Sequence, residues 1–313
     1  MAHIGRAAAT DPRRSVCGDC QGGTEVIIWA IAKTTVGDAL RKKVLQIFLV
    51  VTIGLIVLSL SFSQTLSFSS QRGVSADLMM LKSFGLGLMA LAGIFISLVL
   101  GVSLIPQEIE RRTIYTILAK PVTRYEFIIG KFLGAILTLA ITTGLMGVVF
   151  IATVVLKAWG AEQPALSKVA AQGITGVGTE KVQVFDMNML WGVILIYLQF
   201  MVLSSVVLLF STIFTSTVNF FMGAAVYVVG FASTIVQSLG GAEGAGPFLK
   251  IFYKVVFYVL PRFDQFNMPN QLLHPEASIA NMGIYTMRMF LYAVVYALLA
   301  LVLAILIFQN REV

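Results

Sequence analysis

Six stretches of this chain are apolar for long enough to cross a bilayer as helix, which takes about 20 residues. They cover residues 44–63, 83–105, 127–156, 190–214, 218–239 and 286–308. Of the 313 residues 58% are hydrophobic and 12% charged, far from the charge content of a soluble domain. The fold class expected is therefore an all-α integral membrane protein with six transmembrane helices. The connections between spans reach a few tens of residues at most and are themselves partly apolar, which leaves no room for a separate globular enzyme domain. One membrane domain over 24–313, preceded by a disordered tail over 1–23, is the simplest division.

One long charged segment interrupts the apolar pattern, at residues 105–132 between the second and third spans. Glu108, Glu110, Arg111 and Arg112 lead into Ile114, Ile117 and Leu118, spaced so that the apolar residues share one face of a short helix, with Glu108 and Arg112 one turn apart. Pro121 lacks an amide hydrogen and disfavours helical geometry at Lys120, so this helix stops near Ala119. Thr123-Arg124-Tyr125-Glu126 then fits a capping box ahead of an apolar run, and starts a new helix. By shape alone the segment reads either as a plain charged loop or as a rigid amphipathic helix able to carry a push from a soluble partner into the membrane.

The residues add a resemblance. Glu108 to Arg112, the run Leu118-Ala119-Lys120-Pro121-Val122-Thr123-Arg124, Glu126 and the pair Gly130-Lys131 resemble the first cytoplasmic loop of permease subunits of type-2 ABC exporters, of the single-domain bacterial kind. The resemblance implies a coupling helix that docks on a separate ATP-binding subunit through Glu108, Glu110, Arg111, Arg112, Thr113, Lys120, Pro121, Arg124 and Glu126. It also implies a homodimer or heterodimer of permease subunits, bound to two ATPases in a bacterial inner membrane.

Before the first span, Trp29, Ala32, Val36 and Leu40 fall near one helical face, while Lys33, Asp38, Arg41 and Lys42 lie largely elsewhere. That pattern suits an amphipathic interfacial helix lying on the inner leaflet, with Trp29 among the headgroups and Lys33, Arg41 and Lys42 toward anionic lipid. A cytoplasmic extension of the first span reads equally from these residues. The run from Ala32 to Leu45 is also similar to the start of type-2 permeases.

Arg41, Lys42 and Lys43 precede the first span, and Arg111, Arg112, Lys120, Arg124 and Lys131 cluster at the second loop, so both belong inside. With six spans both termini are then cytoplasmic, against which Lys157, Lys168, Lys181, Lys250 and Lys254 stand on the outer side. The formal net charge of +7 is accounted for by these flanking residues, and nucleic acid is not implied.

Gly85, Gly87, Gly93 and Gly101 in the second span read as packing positions. Lys131 reads as an anchor that snorkels to water. The region 157–189 reads as an outer loop, Thr215-Ser216-Thr217 as a tight inner hairpin, and Gln199, Asn219 and Gln237 as interhelical hydrogen-bonding residues. The apolar run 247–261 is too short to span and reads as a re-entrant or interfacial helix before the last span.

Cys17 and Cys20 form a Cys-x-x-Cys pair, but a zinc site needs about four ligands and a second pair is missing, so no metal is expected. The sequence has no G-x-x-x-x-G-K-[ST] phosphate loop, no H-E-x-x-H and no histidine within a span to serve as a base. No cofactor and no enzymatic activity are expected of this chain. The reading is a permease driven by a partner's ATP hydrolysis; the alternative is a polytopic scaffold that binds a cytoplasmic partner without transport.

Overall fold

A computed structural model describes residues 16–67, 74–104, 123–172, 187–233, 260–266 and 282–309. Among the described residues there are seven α-helices, one short 3-10 turn and no strand. The helices are α1 (Val16–Leu40), α2 (Lys43–Ser67), α3 (Val74–Leu104), α4 (Arg124–Gln172), α5 (Met187–Ser211), α6 (Ser216–Phe231) and α7 (Met282–Gln309), with the 3-10 turn at Phe263–Phe266 between the last two.

Five of these helices carry apolar windows long enough to cross a membrane: Lys43–Leu60, Met80–Leu104, Tyr125–Trp159, Asn188–Ser211 and Met282–Gln309. They match five of the six expected stretches. The remaining stretch, 218–239, is represented by α6, whose 16 residues extend only about 24 Å at 1.5 Å per residue. Residues 234–239 lie outside the described residues, as do Gln237 and most of the expected 247–261 helix.

Two boundaries differ from expectation. Helix α1 begins at Val16 rather than near Thr24, so Cys17 and Cys20 sit within it, one turn apart. Helix α4 continues to Gln172, well into the region expected to be an outer loop. The reason is local: Ala158, Ala161, Glu162, Gln163, Ala165, Leu166, Lys168, Ala170 and Ala171 are mostly strong helix formers, with Pro164 working against them, and propensity extends the helix after hydrophobicity fades. At 49 residues α4 is about 74 Å long, against roughly 30 Å for a hydrocarbon core, so it projects well beyond the lipid.

Helix α5 is the centre of the bundle. Of its apolar window 72% is buried, against 22% for α2 and α7, which stand at the periphery. It packs against α3, α4, α6, α7 and the 3-10 turn. Small residues permit these contacts, since lipid supplies no hydrophobic drive for helices to associate. On α3, Gly85 lies under Phe150 of α4, while Gly93 and Gly101 lie under Phe200 and Val207 of α5. The two contacts with α5 advance together along both helices, so α3 and α5 run parallel. Gly87, by contrast, faces open space, so three of the four glycines in this span serve packing.

Most hydroxyls are satisfied within their own helix, where no water is needed to serve them. Thr52 donates to the Phe48 carbonyl at 2.7 Å, Thr138 to Gly134 at 2.8 Å and Thr153 to Val149 at 2.6 Å. Two of the three amides singled out in the sequence cross between helices: Gln199 Nε2 donates to the Tyr227 hydroxyl at 3.1 Å, and Asn219 Nδ2 to the Gly101 carbonyl at 3.4 Å. The α5–α6 hairpin is as tight as its sequence implies, closed by Phe214 N–H to the Phe210 carbonyl at 2.9 Å.

The 3-10 turn joins α6 to α7. Phe263 and Phe266 are fully buried, and Phe263 lies 5.2 Å from the Tyr227 ring. Ser233 Oγ donates to Asp264 Oδ1 at 3.1 Å, the Arg262 amide to the Tyr292 hydroxyl at 3.3 Å, and the Tyr285 hydroxyl to the Gln265 carbonyl at 2.6 Å. A Cβ on Gly230 would stand 2.5 Å from the Pro261 carbonyl oxygen, so α6 needs glycine at the point where this turn crosses it.

The packing role of these glycines is testable by contrast. Gly93→Leu is expected to cost about 1–3 kcal/mol through overpacking against Phe200, read as a lowered thermal midpoint of the detergent-solubilised protein. Gly87→Leu, placed in open space, is expected to change stability by less than about 0.5 kcal/mol. Equal effects at the two positions would contradict the described α3–α5 seam.

Candidate coupling site

The charged segment lies between Leu104 and Thr123, and the described residues that flank it are held in the core. Leu104 is buried at the end of α3; Phe127, Ile128 and Phe132 at the start of α4 are buried in the same core cluster, which also takes in Val206, Val207 and Leu208 of α5. Between them lie Glu108, Glu110, Arg111, Arg112, Thr113, Lys120 and Pro121, outside the described residues. Arg124 is the first residue of α4.

The start of α4 carries one of the two arms of the capping box that the Thr-Arg-Tyr-Glu order implies. The Thr123 amide donates to Glu126 Oε2 at 2.9 Å, the carboxylate arm of a capping box, and the Phe127 amide donates to the Thr123 carbonyl at 3.2 Å. Glu126 is only 3% exposed, so its carboxylate is turned into the helix start and holds the Thr123 amide there. Lys131 differs from its expected role as a water-seeking anchor. It is 7% exposed, with its ammonium 5.6 Å from the centre of the Phe127 ring one turn back; cation–π attraction and burial of the stem hold it against the protein.

Helix α1 packs on this part of α4, and on a different face from the one expected. The buried stripe is Ala32, Thr35 and Ala39, while Trp29 is 61% exposed, Lys33 and Arg41 are exposed and Lys42 is half-buried. The physical reason lies across the interface. Gly130 and Gly134, one turn apart on α4, form a shallow track that accepts small side chains and excludes a tryptophan. A Cβ at Gly130 would come within 2.8 Å of Ile31 Cβ and 3.2 Å of the Ile28 carbonyl oxygen; at Gly134 it would come within 2.6 Å of Thr35 Cβ and 3.0 Å of the Ala32 carbonyl oxygen. Two helices therefore touch backbone to backbone, and Thr35 keeps its hydroxyl satisfied by donating to the Ile31 carbonyl at 2.7 Å. So α1 is seated on the bundle, with Trp29 and the cations on its outer side, rather than presenting the Trp29–Ala32–Val36–Leu40 face to lipid.

An elbow then connects α1 to α2. Gln46 Nε2 donates to the Leu40 carbonyl at 3.0 Å, and the Arg41 amide to the Gly37 carbonyl at 3.3 Å. These bonds satisfy carbonyls at the end of α1 that no intrahelical donor reaches. The site thus brings together α1, its elbow, the first turns of α4 and both ends of the charged segment. Ala32, Thr35 and Ala39 were missed as a contact surface in the sequence; their signal is small residues three and seven positions apart, facing a Gly-x-x-x-Gly.

The part of α1 from Trp29 onward falls within a wider match, in which the model of the ABC-2 family transporter proteins covers residues 29–313. The chain belongs to this family. It is accordingly a multi-pass membrane protein and a permease subunit of an ABC transporter, and membership implies an ABC-type ATP-binding subunit as its partner. No curated protein matches the sequence.

Two substitutions test the geometry. Gly134→Leu is expected to wedge α1 off α4 and raise hydrogen exchange at the amides of residues 31–39 by about tenfold or more, from an overpacking cost of roughly 1–3 kcal/mol. Gly144→Leu, which meets nothing within 4 Å, serves as control. Glu126→Ala is expected to remove about 1 kcal/mol of capping and speed exchange in the first turn of α4 about fivefold, while Glu126→Gln, which keeps an acceptor oxygen, has a smaller effect. Unchanged exchange in Gly134→Leu would contradict the seating of α1.

Proposed function

We propose that this permease subunit serves an ATP-driven exporter, in which the segment between Leu104 and Thr123 docks on the ATP-binding subunit and α1 moves with α4 to carry the displacement into the spans. The observation that supports this most directly is the backbone contact of α1 with Gly130 and Gly134, immediately after the segment's return. Helices packed this closely do not deform independently, so a push at the start of α4 is shared with α1 and, through the elbow, with α2. The docking residues are Glu108, Glu110, Arg111, Arg112, Thr113, Lys120, Pro121 and Arg124, with Glu126 holding the exit in place.

The orientation follows from charge. Arg41, Lys42 and Lys43 flank α2, and Arg111, Arg112, Lys120 and Arg124 belong to the segment, so this end faces the cytoplasm of a bacterial cell. With the apolar stretch 218–239 counted as a sixth span, both termini return to that side. Two copies, or one copy and a close relative, pair around a path between them. ATP is hydrolysed in the partner subunit and not in this chain, whose sequence has no phosphate-binding loop.

Charge reversal tests the docking role. Glu108→Lys or Arg111→Glu is expected to weaken binding of the purified ATP-binding subunit at least about tenfold, as loss of a paired interfacial charge does, with the thermal midpoint of the permease unchanged. Wild-type affinity in both variants would remove the segment from the interface. A stable cytoplasmic partner with no ATPase activity would instead favour the scaffold.

A further inference from the structure

Where α3, α5 and α6 meet, Ser97 Oγ, Ser204 Oγ and Asn219 Oδ1 are buried with no hydrogen-bond partner among the described residues. All three side chains are fully buried. Other hydroxyls on these helices are not left this way. Ser103, Ser205 and Ser211 each donate to the carbonyl three residues back in their own helix, the ordinary solution for a hydroxyl inside a membrane helix. Ser97 and Ser204 make no such bond.

The packing of α3 on α5 sets these two serines at the same height. Gly93 meets Phe200 and Gly101 meets Val207; Ser97 lies one turn from each glycine, and Ser204 lies between Phe200 and Val207 on the facing side of α5. Asn219 stands at the next level, where its Nδ2 donates to the Gly101 carbonyl at 3.4 Å, longer than the usual N–H to oxygen bond. The α5–α6 hairpin is joined more firmly, by Gln199 Nε2 on the Tyr227 hydroxyl at 3.1 Å and by its tight turn. The polar atoms thus form a column along the contact of α3 with the hairpin, a contact made smooth by Gly93 and Gly101.

We propose that α3 and the α5–α6 hairpin part at this seam to admit water, which then serves Ser97, Ser204 and Asn219. An unpartnered buried polar atom disfavours the closed seam by about five- to 150-fold in population, the equivalent of about 1–3 kcal/mol. Water removes that penalty at each atom as the seam opens, whereas apolar side chains in the same places would hold it shut. The opening lies within one subunit, between its own helices, and not between two copies of the chain. It is a property of this chain alone, so its test does not depend on the docking role of the charged segment.

The test is thiol labelling of the full-length permease in lipid nanodiscs, with Cys17→Ser and Cys20→Ser removing the native thiols. Ser97→Cys or Ser204→Cys, introduced singly, is treated with a small charged methanethiosulfonate, which reacts only where water reaches. Ser205→Cys is the reference, since Ser205 is buried too but stands on the side of α5 turned away from Val207. Ser97→Cys and Ser204→Cys are each expected to react at least about tenfold faster than the reference, as local opening of the seam requires. Adding Ser204→Ala to Ser97→Cys is expected to slow labelling about fivefold or more, because one penalty on the closed seam is gone. Ser97→Ala and Ser204→Ala, which keep the seam testable should a cysteine variant not fold, are each expected to raise the thermal midpoint by about 2–4 °C. Equal labelling at all three positions would overturn the proposal, as would labelling of Ser97→Cys that Ser204→Ala leaves unchanged. So would a lowered midpoint in the alanine variants, which would mean that the hydroxyls are already paired in the closed seam.

Discussion

The contact of α1 with α4 at Gly130 and Gly134 is the interaction on which the end of the bundle that flanks the charged segment depends. In lipid there is little to gain from burying one apolar side chain rather than another, so association rests on how closely backbones approach. Two glycines one turn apart admit the Ala32–Thr35–Ala39 stripe and fix the height and rotation of α1. Everything near the charged segment inherits that placement: the elbow closed by Gln46, the start of α2, and the capped start of α4. The same device recurs deeper in the bundle, at Gly93 under Phe200, Gly101 under Val207 and Gly223 between Leu98 and Val207.

The seam where α3, α5 and α6 meet is less self-sufficient. Ser97 Oγ, Ser204 Oγ and Asn219 Oδ1 are buried there without a hydrogen-bond partner, although the amide nitrogen of Asn219 reaches the Gly101 carbonyl. A buried polar group left unpaired costs about 1–3 kcal/mol. Ser97 and Asn219 each stand one turn before a packing glycine, Gly101 on α3 and Gly223 on α6, and Ser204 stands on α5 three residues before Val207, which packs on both glycines. By contrast, the 3-10 turn between α6 and α7 is pinned by three hydrogen bonds and two buried phenylalanines. The bundle therefore has a firmly joined end at this turn and a seam with unused bonding capacity at its centre.

Much of this was legible in the residues. Hydrophobic length located five full spans to within a few residues, because each apolar run is bounded by polar or charged side chains. The Thr123–Glu126 spacing gave the start of α4, and Gln199 and Asn219 read correctly as interhelical donors. Three features were not legible for physical reasons. The extension of α4 to Gln172 follows from helix propensity, which a hydropathy argument does not weigh. The rotation of α1 was misjudged because Trp29 dominates an amphipathicity argument, while the decisive residues are small and their partners lie a hundred positions away. Lys131 read as a snorkelling anchor because a lysine near a span end suggests water, whereas here its ammonium turns back over the Phe127 ring one turn earlier on the same helix. The family resemblance carried by Glu108 to Lys131 agrees with the match over residues 29–313.

The central claim is that this permease works by coupling to a separate ATPase at the end built on α1 and α4. The measurement that tests it most directly is purification of the protein from its native membrane in mild detergent, with quantification of the proteins that accompany it and of ATP hydrolysis by the preparation. A stoichiometric ATP-binding subunit with measurable hydrolysis, lost when residues 108–124 are disrupted, is the predicted result. A permease that emerges alone after gentle crosslinking, or with partners that hydrolyse no ATP, would contradict it.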